Sequence, residues 1–411
     1  MFPFLGGKSA EPHGSEPYGS GGDFLPDFPA SVFATEQSRS ENYEQERLET
    51  MNRKRLRDWG ISVGEMPTGS LNKITDVPGV LVGHTTTADD GHNTGVTVIL
   101  PAPGNLYADK LTAAFHVING YGKTAGSIQI DELGTLETPI ALTGTLNVGK
   151  VSEALVAHTL RECARDGIEC RSVNPVVGET NDAVLNRLAD RPIGAAELEA
   201  AIASACADFD EGDVGAGRGT MCMGLKGGIG SASRLLDIDG RRFTVGALVQ
   251  TNFGRLDDLM IAGYPAGAEI RRIVSAPRAP EDKGSCMIII GTDLPVSCRQ
   301  LSRILRRAVV GLARTGSFVG HGSGDVVIGF TTANRLNRDD GALRQVTLLR
   351  EEMLDAAFRA AAESVEEAVL NSLCTADRVS ASGMGASGNE TVTLSALSEF
   401  LPALLPSLQK R

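Results

Sequence analysis

Apolar residues in the last third of the chain fall into two alternating patterns. Cys286-Met287-Ile288-Ile289-Ile290 is a continuous run of strand length closed by Gly291-Thr292, so a strand is expected over 285–292. Pro295 then opens a segment in which Leu301, Ile304, Leu305, Val309 and Leu312 share one helical face, with arginines opposite. That spacing predicts a helix from about Ser297 to Ala313. A further strand is expected from about Asp325 to Thr331, and a long helix from about Leu349 to Cys374.

The upstream chain is less regular. Ile74 to His84 reads as a turn and then a strand, and Thr94 to Leu100 as a strand closed by Pro101. Leu111 to Val117, Ile140 to Leu142 and Thr244 to Thr251 read as further strands. Val151 to Asp166 and Ala195 to Ala207 carry helical periodicity. Strands and helices alternate without a regular strand–helix–strand period. This predicts an α+β protein built as a layered sandwich in preference to a doubly wound sheet.

Residues 1–40 are rich in Gly, Ser, Pro and acidic residues and lack periodicity, as a disordered tail would. Residues 41–63 form a charged, helix-compatible lead-in that stops near Gly60. Residues 64–411 are expected to form a single catalytic domain.

Composition narrows the partners. The net charge of −12 argues against general affinity for nucleic acid or an anionic membrane. The start lacks a basic, then apolar, signal sequence, and no stretch approaches the ~20 apolar residues of a membrane helix. The seven cysteines are scattered and show no metal-type spacing. Reduced thiols, cytoplasmic location and no metal are the expectations.

Several chemical motifs fail on inspection. Asn119-Gly120-Tyr121-Gly122-Lys123-Thr124 ends like a phosphate-binding loop, but Val117 stands where that loop needs glycine. The glycine runs at 215–219 and 227–230 read as packing glycines. No Gly-x-Ser-x-Gly elbow surrounds Ser285 or Ser323, and the six histidines show no metal spacing. A hydrolase built on this chain needs a base other than histidine.

Gly284-Ser285 offers one. Gly-Ser pairs are common here and usually mark turns, but this one stands directly before an apolar strand. Cleavage of its peptide bond would leave Ser285 with a nucleophilic oxygen and an α-amine on one residue. Such an amine has a pKa of about 7.7–8.0 and can accept the hydroxyl proton near neutrality. Ser323 and Asp325, in Gly320-His321-Gly322-Ser323-Gly324-Asp325, can be brought beside it by a strand–helix–strand layout; an ordinary turn is the alternative. Asn252 follows an apolar strand and is either a turn residue or an oxyanion donor. Glu179 is either a surface or capping residue or the partner of a substrate ammonium.

Six ordered segments resemble the family of L-aminopeptidase D-Ala-esterase/amidases and β-peptidyl aminopeptidases, over about Leu71 to Thr393. They are Asn72 to Val80 with Val82-Gly83-His84; Pro175 to Thr180; Gly224 to Gly230 with Ser233-Arg234; Asn252-Phe253-Gly254; Gly284-Ser285; and Ala313 to Gly316 through Gly322 to Asp325. The resemblance implies a four-layer αββα sandwich similar to N-terminal-nucleophile hydrolases. It implies self-cleavage between Gly284 and Ser285 into α (1–284) and β (285–411) chains, commonly assembled as a tetramer of such pairs. It implies release of N-terminal residues from small peptides, amides or esters bearing a free amine, without a cofactor. Ser285 falls on the nucleophile, Ser323 and Asp325 on its assistants, Asn252 on the oxyanion donor, and Glu179 on the residue holding the substrate amine. Asn181 departs from the pattern, standing where some relatives carry an aromatic residue near the substrate. The related ornithine acetyltransferases, which use threonine, supply an alternative acyl-transfer reading; a non-catalytic binding relative is the other.

Overall fold

The computed structural model describes residues 53–89, 91–274, 284–382 and 391–409. The tail reading for 1–40 and the first part of the lead-in lie outside them. Among the described residues the strands are β1 (Leu81–Asp89), β2 (His92–Leu100), β3 (Asp109–Gly120), β4 (Thr135–Leu136), β5 (Ile140–Gly144), β6 (Val176–Thr180), β7 (Met221–Cys222), β8 (Leu225–Lys226), β9 (Ile229–Ile238), β10 (Arg241–Asn252), β11 (Ser285–Thr292), β12 (Gly324–Asn337), β13 (Val379–Ser382) and β14 (Thr391–Leu394). The order β1-β2-β5-β6 makes one sheet, and β4-β3-β12-β11-β10-β9 a second.

The period-2 alternation of strands sorts side chains into three apolar layers. Ile99, Ile140, Leu142 and Val176 of the small sheet meet Leu248, Met287, Ile289, Ile328 and Phe330 of the large sheet, forming the inter-sheet core. The alternate positions Val96, Val98, Ala141 and Val177 pack outward on Val151, Leu155, Leu198 and Ala201. Those four residues belong to helices α2 (Val148–Arg165) and α3 (Ala195–Ala203), which follow the short helix α1 (Ser127–Leu133). Beyond the large sheet, Val245, Ala247, Val249, Cys286, Ile288 and Ile290 pack on a second helical layer. That layer contains α5 (Cys298–Leu305), α6 (Ala308–Arg314), α7 (Leu354–Cys374) and α8 (Leu401–Leu408), which follow α4 (Ala266–Val274). Helix, sheet, sheet, helix is the four-layer order.

Two expectations shift. The single helix expected over 297–313 is two, because Arg306 and Arg307 separate α5 from α6; Arg307 N–H bonds Ile304 O (2.9 Å), a tightened turn. The packed chain also begins upstream of Gly64. Leu56 is fully buried, its N–H donates to Asn371 Oδ1 (3.0 Å), and Arg55 pairs with Glu211 (2.6 Å). Arg57 pairs with Glu367 (2.6 Å), which also holds the buried Arg234 (2.7 Å). An apolar residue between arginines reads as surface; here buried carboxylates receive the arginines and let Leu56 enter the core.

Candidate active site

The site grows from one end of the large sheet. Ser285 begins β11, pairs across the antiparallel ladder with Asn252 of β10, and pairs in parallel with Gly324 of β12. Its pleat position matches Met287 and Ile289, so its side chain is on the inter-sheet face. Asn252 shares that face with Leu248 and Gln250, and Gln250 reaches across to Thr180 of the small sheet (2.9 Å). Ser285 is 6% exposed and Ser323 only 1%.

Gly284 sits tightly beneath these strands. Its carbonyl accepts the Gly324 N–H (3.2 Å). A Cβ there would stand 2.8 Å from the Asn252 carbonyl carbon, and closer still to Asn252 O and Phe253 Cα. Backbone on that side excludes any side chain.

The amide of Asn252 is oriented by its neighbours. Met221 N–H donates to Asn252 Oδ1 (3.1 Å), leaving the NH2 end as the donor. Met221 pairs with Lys226 in the β7–β8 hairpin. Lys226 is fully buried, and its Nζ donates to the carbonyls of Gly217 (2.9 Å), Thr220 (2.9 Å) and Gly227 (2.6 Å). Burial brings its pKa down to about 7, against the opposing pull of Asp213. Sequence reasoning did not find this lysine. Its signal was a charge inside a glycine-dense run, where backbone carbonyls lie exposed to a side chain.

The loop before β12 is pinned by β3. Asn119 Nδ2 donates to the carbonyls of Gly320 (3.2 Å), His321 (3.0 Å) and Ser323, and Tyr121 N–H donates to Ser323 O (3.3 Å). His321 is exposed at the rim. Asp325 is 1% exposed and lies beside Cys286 in the register, not beside Ser285. Burial pushes the Cys286 thiol up, and the Asp325 charge adds to that.

Glu179 is neither a cap nor a surface residue. It lies inside β6 at 2% exposure. Its Oε1 accepts the Lys123 N–H (2.9 Å), and Lys123 Nζ stands 4.0 Å away. Gly122 spans the gap between the sheets: a Cβ on it would be 3.6 Å from Glu179 Oε1 and 3.8 Å from Gly324 Cα. The segment rejected as a phosphate loop is therefore the wall between the carboxylate and the serine end. Asn181 is exposed, and its Oδ1 is occupied by the Ala183 N–H (2.9 Å), closing a turn.

Cys163, Cys222, Cys286 and Cys374 are buried, and none of the seven cysteines is in a disulfide. Among the described residues no helix is long and apolar enough to cross a membrane. None of the described residues forms a cluster of three or more His, Cys, Asp or Glu suited to a metal.

The four layers, with a serine opening a central strand at the mouth between the sheets, define a hydrolase with a variant of the N-terminal-nucleophile hydrolase fold. Residues 72–386 match Peptidase family S58. The chain belongs to that family and is a hydrolase of the aminopeptidase type. It is 37% identical over 346 residues to the β-peptidyl aminopeptidase BapA of Sphingosinicella xenopeptidilytica, spanning 79% of this chain and 85% of that one. The structure is similar to a Burkholderia sp. β-aminopeptidase, with TM-score 0.78, 38% identity, and coverage of 87% of this chain and 100% of the other. It is also similar to the L-aminopeptidase D-Ala-esterase/amidase of Ochrobactrum anthropi, with TM-score 0.78, 32% identity, and coverage of 87% and 99%.

Proposed function

We propose that the chain matures by cutting itself between Gly284 and Ser285 and then releases N-terminal residues from small peptides, amides or esters through an acyl-enzyme on Ser285. One observation carries this reading. The strand register aligns Asn252, Ser285 and Gly324 at the sheet end and places the Gly324 N–H on the Gly284 carbonyl.

In the precursor that N–H polarises the carbonyl Ser285 Oγ attacks. The C–N bond breaks as the C–O bond forms, shifting the acyl group from nitrogen to oxygen. Water then hydrolyses the ester, leaving a carboxylate on Gly284 and an amine on Ser285. In turnover the Ser285 hydroxyl proton is taken by that amine or by Ser323 as Oγ attacks the substrate carbonyl. The Asn252 NH2 donates to the developing oxyanion. The proton passes to the leaving amine, and water releases the acyl group. The buried Asp325, one residue past the register partner of Ser285, supplies negative charge at this sheet end to offset the Ser285 ammonium without touching it.

Glu179 receives the free ammonium of the substrate, which restricts the enzyme to chain ends. Its Lys123 neighbour is displaceable, since that side chain is 56% exposed. Asn181 contributes at the outer edge of this subsite. Seven cysteines held as thiols, not as disulfides, support a reducing, cytoplasmic setting. The exposed Ile128 (85%) and Leu133 (65%) support association of the mature pairs into homo-oligomers.

Ser285→Ala is the test of the nucleophile: the variant should stay uncut and fail to release p-nitroaniline from aminoacyl p-nitroanilides. A cleaved or active alanine variant refutes it. Glu179→Gln should raise KM for free-amine substrates far more than it lowers kcat.

A further inference from the structure

Beyond the end of the strand carrying Glu179, the chain buries a group of polar side chains, several of whose oxygens find no partner. Thr94, Thr145, Asn147, Asp182 and Asn186 range from 0% to 7% exposed, and Asp182 is at 1%. Thr145 Oγ1, Asn147 Oδ1 and Asn186 Oδ1 lack a hydrogen-bond partner, and of side chains the Asp182 carboxylate has only the Thr94 hydroxyl and the Asn186 amide within reach. Native interiors pair almost all such atoms, so this concentration points to a missing ligand.

Packing brings these groups together. Asn186 N–H bonds the Asp182 carbonyl (3.1 Å), placing the two side chains one turn apart. Gly144 presses on Asp182, for a Cβ on it would stand 2.7 Å from Oδ2. Thr145 follows Gly144 directly, with Asn147 two residues further along. Val96 pairs with Thr143 across the ladder, so Thr94 falls at the level of Thr145. Burial pushes the Asp182 carboxyl up, while side-chain hydrogen bonding from Thr94 and Asn186 pulls it the other way.

We propose that these residues form a site for a dehydrated monovalent metal cation of the sodium or potassium class, held by the Asp182 carboxylate, the Thr94 and Thr145 hydroxyls, and the Asn147 and Asn186 amide oxygens. Oxygen-only donors suit hard cations, and the absence of thiolate or imidazole donors argues against zinc or copper. One carboxylate balances one positive charge. A buried carboxylate with no positive charge beside it is costly even when hydrogen-bonded, and the cation removes that cost. Asp182 lies three residues after Glu179, so the ion ties down the turn that ends β6. The site stands whether or not Glu179 binds the substrate amine.

The test uses the purified full chain, exchanged into choline chloride and then melted in sodium, potassium or choline chloride at equal ionic strength. One alkali cation should raise Tm by a few degrees in a saturable way. Asp182→Asn and the milder Thr94→Val should abolish or weaken that dependence. Equal Tm in all three salts overturns the proposal. Crystals soaked in thallium(I) give a second reading that does not depend on a variant folding. An anomalous peak within bonding distance of Asp182 supports the site. Ordered waters or a hydrogen-bonded neutral carboxyl in its place overturn it.

Discussion

Replacing Gly284 by alanine tests the geometry at the cut site without touching a reacting atom. The added methyl would lie 2.8 Å from the Asn252 carbonyl carbon and closer to two other backbone atoms. Ordinary carbon contacts are about 3.5–4.0 Å, so the residue must move by on the order of 1 Å. The neighbours are strand backbone in the β10–β11 ladder, and they resist. The displaced group is the carbonyl that accepts the Gly324 N–H. A misplacement of about 1 Å at a reacting centre costs on the order of 10²-fold in rate. Self-cleavage of Gly284→Ala should therefore slow by roughly that factor. A time course of freshly translated precursor on a denaturing gel reads it directly. Fragments appearing at the wild-type rate would refute the argument that backbone packing at Gly284 sets the scissile geometry.

Other outcomes follow from the same geometry. Asn252→Ala should lower kcat/KM by about 10²–10³ while leaving the fold intact, as judged by an unchanged melting curve. Lys226→Met should lose the three carbonyl bonds behind the Asn252 hairpin, reducing kcat more than it raises KM and lowering Tm. His84 bonds Thr97 Oγ1 (2.9 Å) and the Asp210 carbonyl (3.1 Å), and burial brings its pKa from 6.5 down to about 4. Between those values the unfolded chain binds a proton the folded one refuses. Stability is therefore complete above pH 6.5 and falls as pH drops toward 4, by at most about 1.4 kcal/mol per pH unit from this group. His84→Gln should flatten that part of a Tm–pH curve; an unchanged slope counts against the assignment.

The fold was readable where burial is one-sided or complete. The run after Ser285 is apolar on both faces, because β11 lies between the inter-sheet core and a helical layer, and its bounds match the expectation. β6 was harder: Glu179 and Thr180 interrupt its apolar pattern, and a buried carboxylate reads as surface until its backbone donor at Lys123 is known. β9 was hidden because Gly230 is pressed against the Ala368 carbonyl, where no side chain fits, so a glycine-dense strand resembles a loop. The site shows the same division. Ser285, Asn252 and Gly324 are marked by their places at strand ends. Asn119, Met221 and Lys226 act through backbone carbonyls and amides, whose positions no local pattern encodes.

The most direct measurement is intact mass spectrometry with N-terminal sequencing of active, freshly purified enzyme. Two chains are expected, spanning 1–284 and 285–411, the shorter beginning at Ser285 with an unblocked amine. Activity in an unbroken polypeptide, or a new terminus at any other residue, contradicts the account.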